Sequence, residues 1–193
     1  MPGKSKPKQG RALYDLRIAI RHIDPPIWRR VIVWGATPLD HLHRIIQELF
    51  GWQDYHLYRF EIGDQEYEAP GPESTAEDST EVSLGQFGLR TGDTFTYVYD
   101  FGDDWELEIR ILETPLINHE ASYPYCVDGA RAGPPEDSGG PHGYTQLLEI
   151  LASPSHPDFR EMTDWIGPGF QSDIFDLRAT NRILALAFPA GAV

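Results

Sequence analysis

The chain has 193 residues, 40% of them apolar and 24% charged, which suits one soluble domain, with or without an extension. Thirty acids against 16 bases leave a net charge of −14, a surface that repels phosphate backbones unless a local basic patch overrides it. One cysteine, Cys126, excludes an internal disulfide. The lack of a membrane-length apolar run, or of an apolar segment after the basic N-terminus, points to a cytoplasmic protein with a reduced thiol.

Residues 1–12 read as a disordered basic tail carrying Lys4, Lys6, Lys8 and Arg11. Leu13 to Ile23 alternates apolar with polar, Leu16, Ile18 and Ile20 against Arg17 and Arg21, which predicts a half-buried strand. Asp24-Pro25-Pro26 predicts a turn, and Ile27 to Trp34 a second strand with Arg29 and Arg30 outward. Thr37-Pro38 opens a helix, with Thr37 as its cap. Leu39, Leu42, Ile45, Ile46, Leu49 and Phe50 give that helix one apolar face, and Gly51 stops it. His41 and His43 lie two apart on this helix and His56 beyond it, a spacing that predicts surface or rim histidines.

His56 to Ile62 predicts a third strand, with Leu57 and Phe60 inward, and Gly63-Asp64 a hairpin turn into Gln65 to Tyr67. Glu68 to Glu81, including Glu73, Glu77 and Asp78, reads as a solvated acidic loop without the ligand spacing of a calcium loop. Val82 to Leu89 is a short helical turn; Thr94 to Phe101 and Trp105 to Leu112 are two more strands. A hairpin, a helix and further strands predict an α+β fold. Its residues 13–113 form a β-grasp (ubiquitin-like) mixed sheet crossed by one helix. Residues 114–193 read as a loop and helical extension packed on the same domain. It has a long Pro- and Gly-rich excursion from Thr114 to Gly143, helices at Tyr144 to Ala152 and Asp158 to Ile166, and a last helix capped by Asp176 with Leu177, Ile183, Leu184 and Leu186 apolar.

The densest chemistry lies in Asp100-Phe101-Gly102-Asp103-Asp104-Trp105 and Pro134-Pro135-Glu136-Asp137-Ser138-Gly139-Gly140. Asp100, Asp103, Asp104, Glu136 and Asp137 admit two readings. One is a carboxylate cluster that binds a hard cation or basic partner, or supplies a general acid and base. The other is turn chemistry, in which Asp side chains cap their own backbone, with Trp105 and Tyr144 as core packing. No nucleophile elbow, phosphate loop or dinucleotide fingerprint is present, so no cofactor is expected and no catalytic residue is assigned.

These two blocks, with Tyr123-Pro124-Tyr125-Cys126, Pro26-Ile27-Trp28-Arg29-Arg30, Leu39 to Trp52, His56-Leu57, Phe175-Asp176-Leu177 and Asn181, resemble the plasmid pRiA open-reading-frame-three-like family, also labelled insertion-element passenger, TnpR-type proteins. The likeness spans roughly residues 13–186 and implies an α+β domain of unknown activity. Relatives often carry His at the position of Leu107 and Cys at those of Gly133 and Ser138, beside the Cys matched by Cys126. The resemblance thus implies a structural zinc site lost in this chain, leaving no metal site and Cys126 as a packed thiol. The favoured function is a non-enzymatic protein-binding or adaptor domain, with another protein as partner and no nucleic acid or membrane. The alternatives are a carboxylate-based hydrolase with a loosely bound divalent cation and a mobile-element-associated DNA-binding accessory protein.

Overall fold

Alternating sequence becomes a sheet with one dry and one wet face. The computed structural model describes residues 12–72, 74–118 and 122–189, so the basic tail expected at residues 1–12 lies almost wholly outside the described residues. The strands are β1 (Leu13–Ile20), β2 (Trp28–Trp34), β3 (Tyr58–Ile62), β4 (Gln65–Glu68), β5 (Glu77–Asp78), β6 (Thr94–Tyr99), β7 (Trp105–Glu113) and β8 (Tyr125–Ala130). They lie in the order β5-β4-β3-β6-β7-β1-β2-β8. Only the β4–β5 pair is parallel.

Register sets the faces. Tyr58 pairs with Tyr99 and Tyr99 with Trp105; Phe60 pairs with Tyr97 and Tyr97 with Leu107; Leu16 pairs with Val31 and Val31 with Cys126. All of these side chains are buried in one core. The opposite face is polar, as an antiparallel sheet permits. There Arg30 grips the buried Asp15 at 2.6 Å, Arg59 meets Glu61 at 2.8 Å and Arg110 meets Glu108 at 3.2 Å.

The helices are α1 (Leu39–Phe50), α2 (Gly140–Leu151), α3 (Phe159–Ile166) and α4 (Leu177–Ala187). The apolar stripe of α1 joins the core side of the sheet, and Gly51 at φ 78° ends it with its N–H on the Gln47 carbonyl. α4 rests on both α1 and β8, and Asp176 caps it by accepting from the Ala179 N–H at 2.9 Å.

Several expectations give way. Arg29 points inward and is 2% exposed. Period two forbids neighbouring Arg29 and Arg30 from sharing a face, and Ile27, Val31 and Val33 carry Arg29 into the core. Its Nε donates to the Leu49 carbonyl at 2.8 Å and its Nη1 to those of Trp28 and Ala130, while its guanidinium lies over both the Phe50 and the Phe175 rings. Burial pushes its pKa down to about 10 against a small upward pull from Cys126. Leu57 is 67% exposed because strand pairing begins only at Tyr58, and Leu57 and Phe60, three apart, cannot share a strand face. Pro38, not Thr37, is the residue preceding α1, and no side chain caps that end.

The two long loops carry strands that lack alternation. Glu77–Asp78 extends one edge as β5, and Tyr125–Ala130 forms the other as β8. β8 is held partly by Asn181, whose amide accepts from the Cys126 N–H and donates to its carbonyl at 2.8 Å each. The fold is α+β with an eight-stranded mixed sheet. The β-grasp arrangement is not confirmed, since β1 runs antiparallel to the central β7 and the sheet has eight strands.

Candidate metal centre

The β6–β7 turn is built by its own carboxylate. Asp100 Oδ1 accepts from the Gly102 N–H at 2.9 Å and the Asp103 N–H at 3.3 Å, which lets Asp100 and Asp104 hold positive φ. That leaves Oδ2 free to face outward from the turn. The loop at 134–140 is fastened both to the β6–β7 region and to the residues just after α1. Trp52 Nε1 donates to the Pro134 carbonyl at 3.0 Å, and Glu136 Oε1 accepts from the Gln53 N–H at 2.7 Å and the Tyr99 hydroxyl at 2.9 Å. Asp103 Oδ2 accepts from the Gly139 N–H at 2.9 Å. Gly140, at φ 66°, packs so closely on the Asp103 carbonyl that a Cβ there would collide with it.

Of the expected turn chemistry, Asp100 alone caps its own turn; Asp103 and Glu136 instead bond residues of other segments, and each of Asp100 and Glu136 spends only one oxygen in this way. Their other oxygens turn toward His56. Its Nε2 lies 3.1 Å from Asp137 Oδ1, 3.5 Å from Asp100 Oδ2 and 4.0 Å from Glu136 Oε2. This Nε2 is shut off from solvent and has no aligned hydrogen bond, so the 3.1 Å approach is out of line. His56, Asp100 and Asp137 offer ligand atoms all within 4.8 Å of one another. Two ligands bound to one ion at ~2.1 Å and roughly 90–110° sit about 3.0–3.4 Å apart, without pointing at each other. The His56–Asp137 contact has that form. Asp100 and Glu136 are each 10% exposed and Asp137 is 70% exposed, so one side of the cluster opens to solvent. His56 also lines a cavity of about 480 Å³ with Asp40, His43, Asp54 and Tyr58.

Of the other sequence-derived site residues, Trp105 and Tyr144 are fully buried in the core and Asp104 is exposed outside the cluster. His56, expected at a rim, is the residue the carboxylates gather around. The second histidine reading fails at His43, which is 2% exposed. It stacks on Tyr58 and bridges Tyr97, hydroxyl to Nδ1 at 2.7 Å, and Asp54, at 2.8 Å from Nε2. Burial lowers its pKa, with Asp54 pulling the other way.

The four positions of the implied zinc site do not converge. Cys126 on β8 is three strands from Leu107 on β7, about 14 Å at the usual strand spacing. A side chain at Gly133 would run into the Phe50 carbonyl oxygen, so glycine there answers a close approach and not a missing ligand. Cys126 is a packed thiol: it is fully buried, and burial pushes its pKa up to about 11.

Residues 12–179 match the family model described as plasmid pRiA4b ORF-3-like protein. The chain belongs to that family. Among pRiA4b ORF-3-like relatives, the uncharacterized protein y4hQ of Sinorhizobium fredii (strain NBRC 101917 / NGR234) is 36% identical over 170 residues, covering 86% of this chain and 84% of that protein. The crystal structure of MM3350 from Methanosarcina mazei Go1, a protein of unknown function, superposes with a TM-score of 0.80 at 31% identity, covering 89% of this chain and 98% of that one. Among the described residues, no helix is long and apolar enough to cross a membrane.

Proposed function

We propose that this pRiA4b ORF-3-like protein binds a divalent transition-metal ion through His56 Nε2, Asp100 Oδ2 and Asp137 Oδ1, and that the site is hydrolytic. The carrying observation is the out-of-line 3.1 Å approach of Asp137 to a solvent-excluded imidazole nitrogen. One imidazole with two carboxylates suits manganese, iron or zinc better than calcium or magnesium. These three residues would hold the ion with its open side toward solvent at Asp137, where it would supply the Lewis acidity that activates water. Glu136 Oε2, 4.0 Å from His56 Nε2 and held by a bonded partner oxygen, is the base placed to take the proton. Dialysis against 100 µM zinc or manganese, roughly the level that saturates a micromolar site, is expected to leave one ion per wild-type chain and none on His56→Ala. Ester or phosphoester hydrolysis is then expected only in the loaded wild type. A wild type that retains no ion overturns the reading.

The adaptor reading keeps one observation in its favour. Tyr55 and Leu57 are each 67% exposed and Phe101 is 45% exposed, and Leu57 and Phe101 flank the Asp100 N–H to Leu57 carbonyl bond beside the cluster. An ion-loaded protein that hydrolyses nothing, yet captures one partner that Leu57→Asp releases, would favour it. The DNA-binding alternative draws no such support, because Arg30, Arg59 and Arg110 on the open sheet face are each paired with an acid.

A further inference from the structure

On the far side of α2, two buried donors lack acceptors. Arg131 ends β8 at φ 65°, and its side chain is 12% exposed. Nη1 donates to the Pro25 carbonyl at 2.7 Å, but Nε has no hydrogen-bond partner. The nearest carboxylate, Asp173 Oδ1, stands off at 3.4 Å from Nε on a side chain that is 84% exposed. Tyr144 is fully buried and its hydroxyl is also unpartnered. Arg131 and Asp173 both act on that hydroxyl, Arg131 working against the rise in pKa that burial causes. The Trp105 ring, 6.4 Å away and edge-on to Tyr144, carries a third unpartnered donor, Nε1.

Arg131 lines a cavity of about 610 Å³ between α2 and residues 170–174. Tyr144 sits one turn before Leu148, on the same face of α2 that supplies the cavity wall. The remaining walls include apolar Leu151, Phe170 and Ile174. The 170–174 segment is tied down by the Ala132 N–H donating to the Ser172 carbonyl at 3.0 Å.

Buried donors without acceptors are rare, and each needs an explanation. Here both can donate, one carries a charge, and the lining combines apolar Leu148, Leu151 and Phe170 with polar Gln171, Ser172 and Asp173. With Nη1 committed to Pro25, the guanidinium edge that remains is the Nε edge, which accepts a carboxylate side-on. We propose that this cavity binds a small carboxylate with an apolar body, its oxygens on Arg131 Nε and the Tyr144 hydroxyl and its body against Leu148, Leu151 and Phe170. Asp173 stands where that carboxylate would go, ion-paired with Arg131 at 3.4 Å but out of line for a hydrogen bond, on a side chain that is 84% exposed. A ligand carboxylate that displaces it replaces one acid by another, with no net change at the arginine. The site is separate from the His56 cluster and does not depend on a metal there.

The probes are hexanoate and benzoate, with hexanamide, benzamide and inorganic phosphate as controls, titrated by calorimetry into the full chain. Tryptophan fluorescence, to which Trp105 contributes beside four others, serves as a second readout. The expected result is saturable binding of the carboxylates and not of the amides. Binding weakens roughly tenfold or more in Tyr144→Phe, as the loss of one hydrogen bond to a charged group implies, and tightens in Asp173→Ala. Tyr144→Phe removes only an unpaired hydroxyl, so its fold is retained, and its melting temperature checks this. Three results overturn the proposal: no carboxylate binding at tens of millimolar, binding indifferent to both substitutions, or phosphate binding as well as benzoate. A crystal structure grown with benzoate that shows only a water bridging Arg131 and Tyr144 overturns it as well.

Discussion

Arg29→Lys tests whether the guanidinium fork, and not merely a positive charge, fastens α1 to the sheet. In the wild type Arg29 satisfies three carbonyls, among them Leu49 at the C-terminal end of α1, where backbone acceptors run out. Its guanidinium also lies over the Phe50 and Phe175 rings, at 4.9 and 4.2 Å. An ammonium keeps the charge but can point at one of these carbonyls at a time. Two lost bonds at about 1 kcal/mol each and weakened contacts with the two rings at about 1 kcal/mol sum to a loss of about 3 kcal/mol. For a chain of this length that lowers the melting temperature by roughly 6–12 °C. The folded pKa stays near 10, so arginine remains charged from pH 5 to 9, whereas the same burial acts on a lysine that starts lower and sheds its proton more readily, so the loss is expected to be largest at pH 6 and to shrink toward pH 8.5. Urea unfolding followed by circular dichroism at pH 6 and pH 8.5 measures it. An Arg29→Lys protein within 0.5 kcal/mol of wild type, or an Arg29→Met protein more stable than wild type, refutes the reasoning. Either result would mean that burying the charge costs more than its partners return.

Other expectations follow from the same geometry. Gly133→Ala places a methyl against the Phe50 carbonyl and is expected to lose most soluble expression, with Gly133→Cys worse; Gly63→Ala, with open space around it, is the control and loses about 1 kcal/mol from its φ of 63°. His43 has a folded pKa below its ordinary value, so the unfolded chain binds that proton more readily, and the stability it lends is present above about pH 6.5 and drains away as pH falls below it. The urea midpoint is expected to drop between pH 7 and pH 5, and His43→Phe to flatten that part of the profile. Cys126, buried with its pKa near 11, is expected to resist thiol reagents at pH 8 until urea unfolds the chain; labelling of the native protein within minutes would contradict its packing.

Much of this architecture was legible in the residues, and the exceptions have physical reasons. The apolar stripe of α1 and the alternation of β1 face the core as read, since a half-buried element must carry its period in its sequence. β8 carries none. Tyr125-Cys126-Val127-Asp128-Gly129-Ala130 is an edge strand with a register shift opposite Arg30 and Val31, positioned by Asn181 from a helix over 50 residues later. Arg29 could have been found, because the register that buries Ile27 and Val31 buries it too. The candidate metal centre divides the same way. Its carboxylates stood out by density, but His56 was hidden: it lies in an irregular stretch just before β3, and it is brought beside the β6–β7 turn by the Leu57 carbonyl bond to Asp100, the Tyr55 bond to the Tyr99 hydroxyl and the pairing of Tyr58 with Tyr99.

The hydrogen bond from Gly139 to Asp103, together with the contact of Gly140 on the Asp103 carbonyl, has a consequence for how an ion would be held. It clamps the jaw that carries Asp137 to the jaw that carries Asp100, with Glu136 as a second rivet. Such a vice is set before loading: little chain entropy is lost on capture, and the pace of exchange falls to the ion shedding its own water through the Asp137 mouth rather than to a hinge.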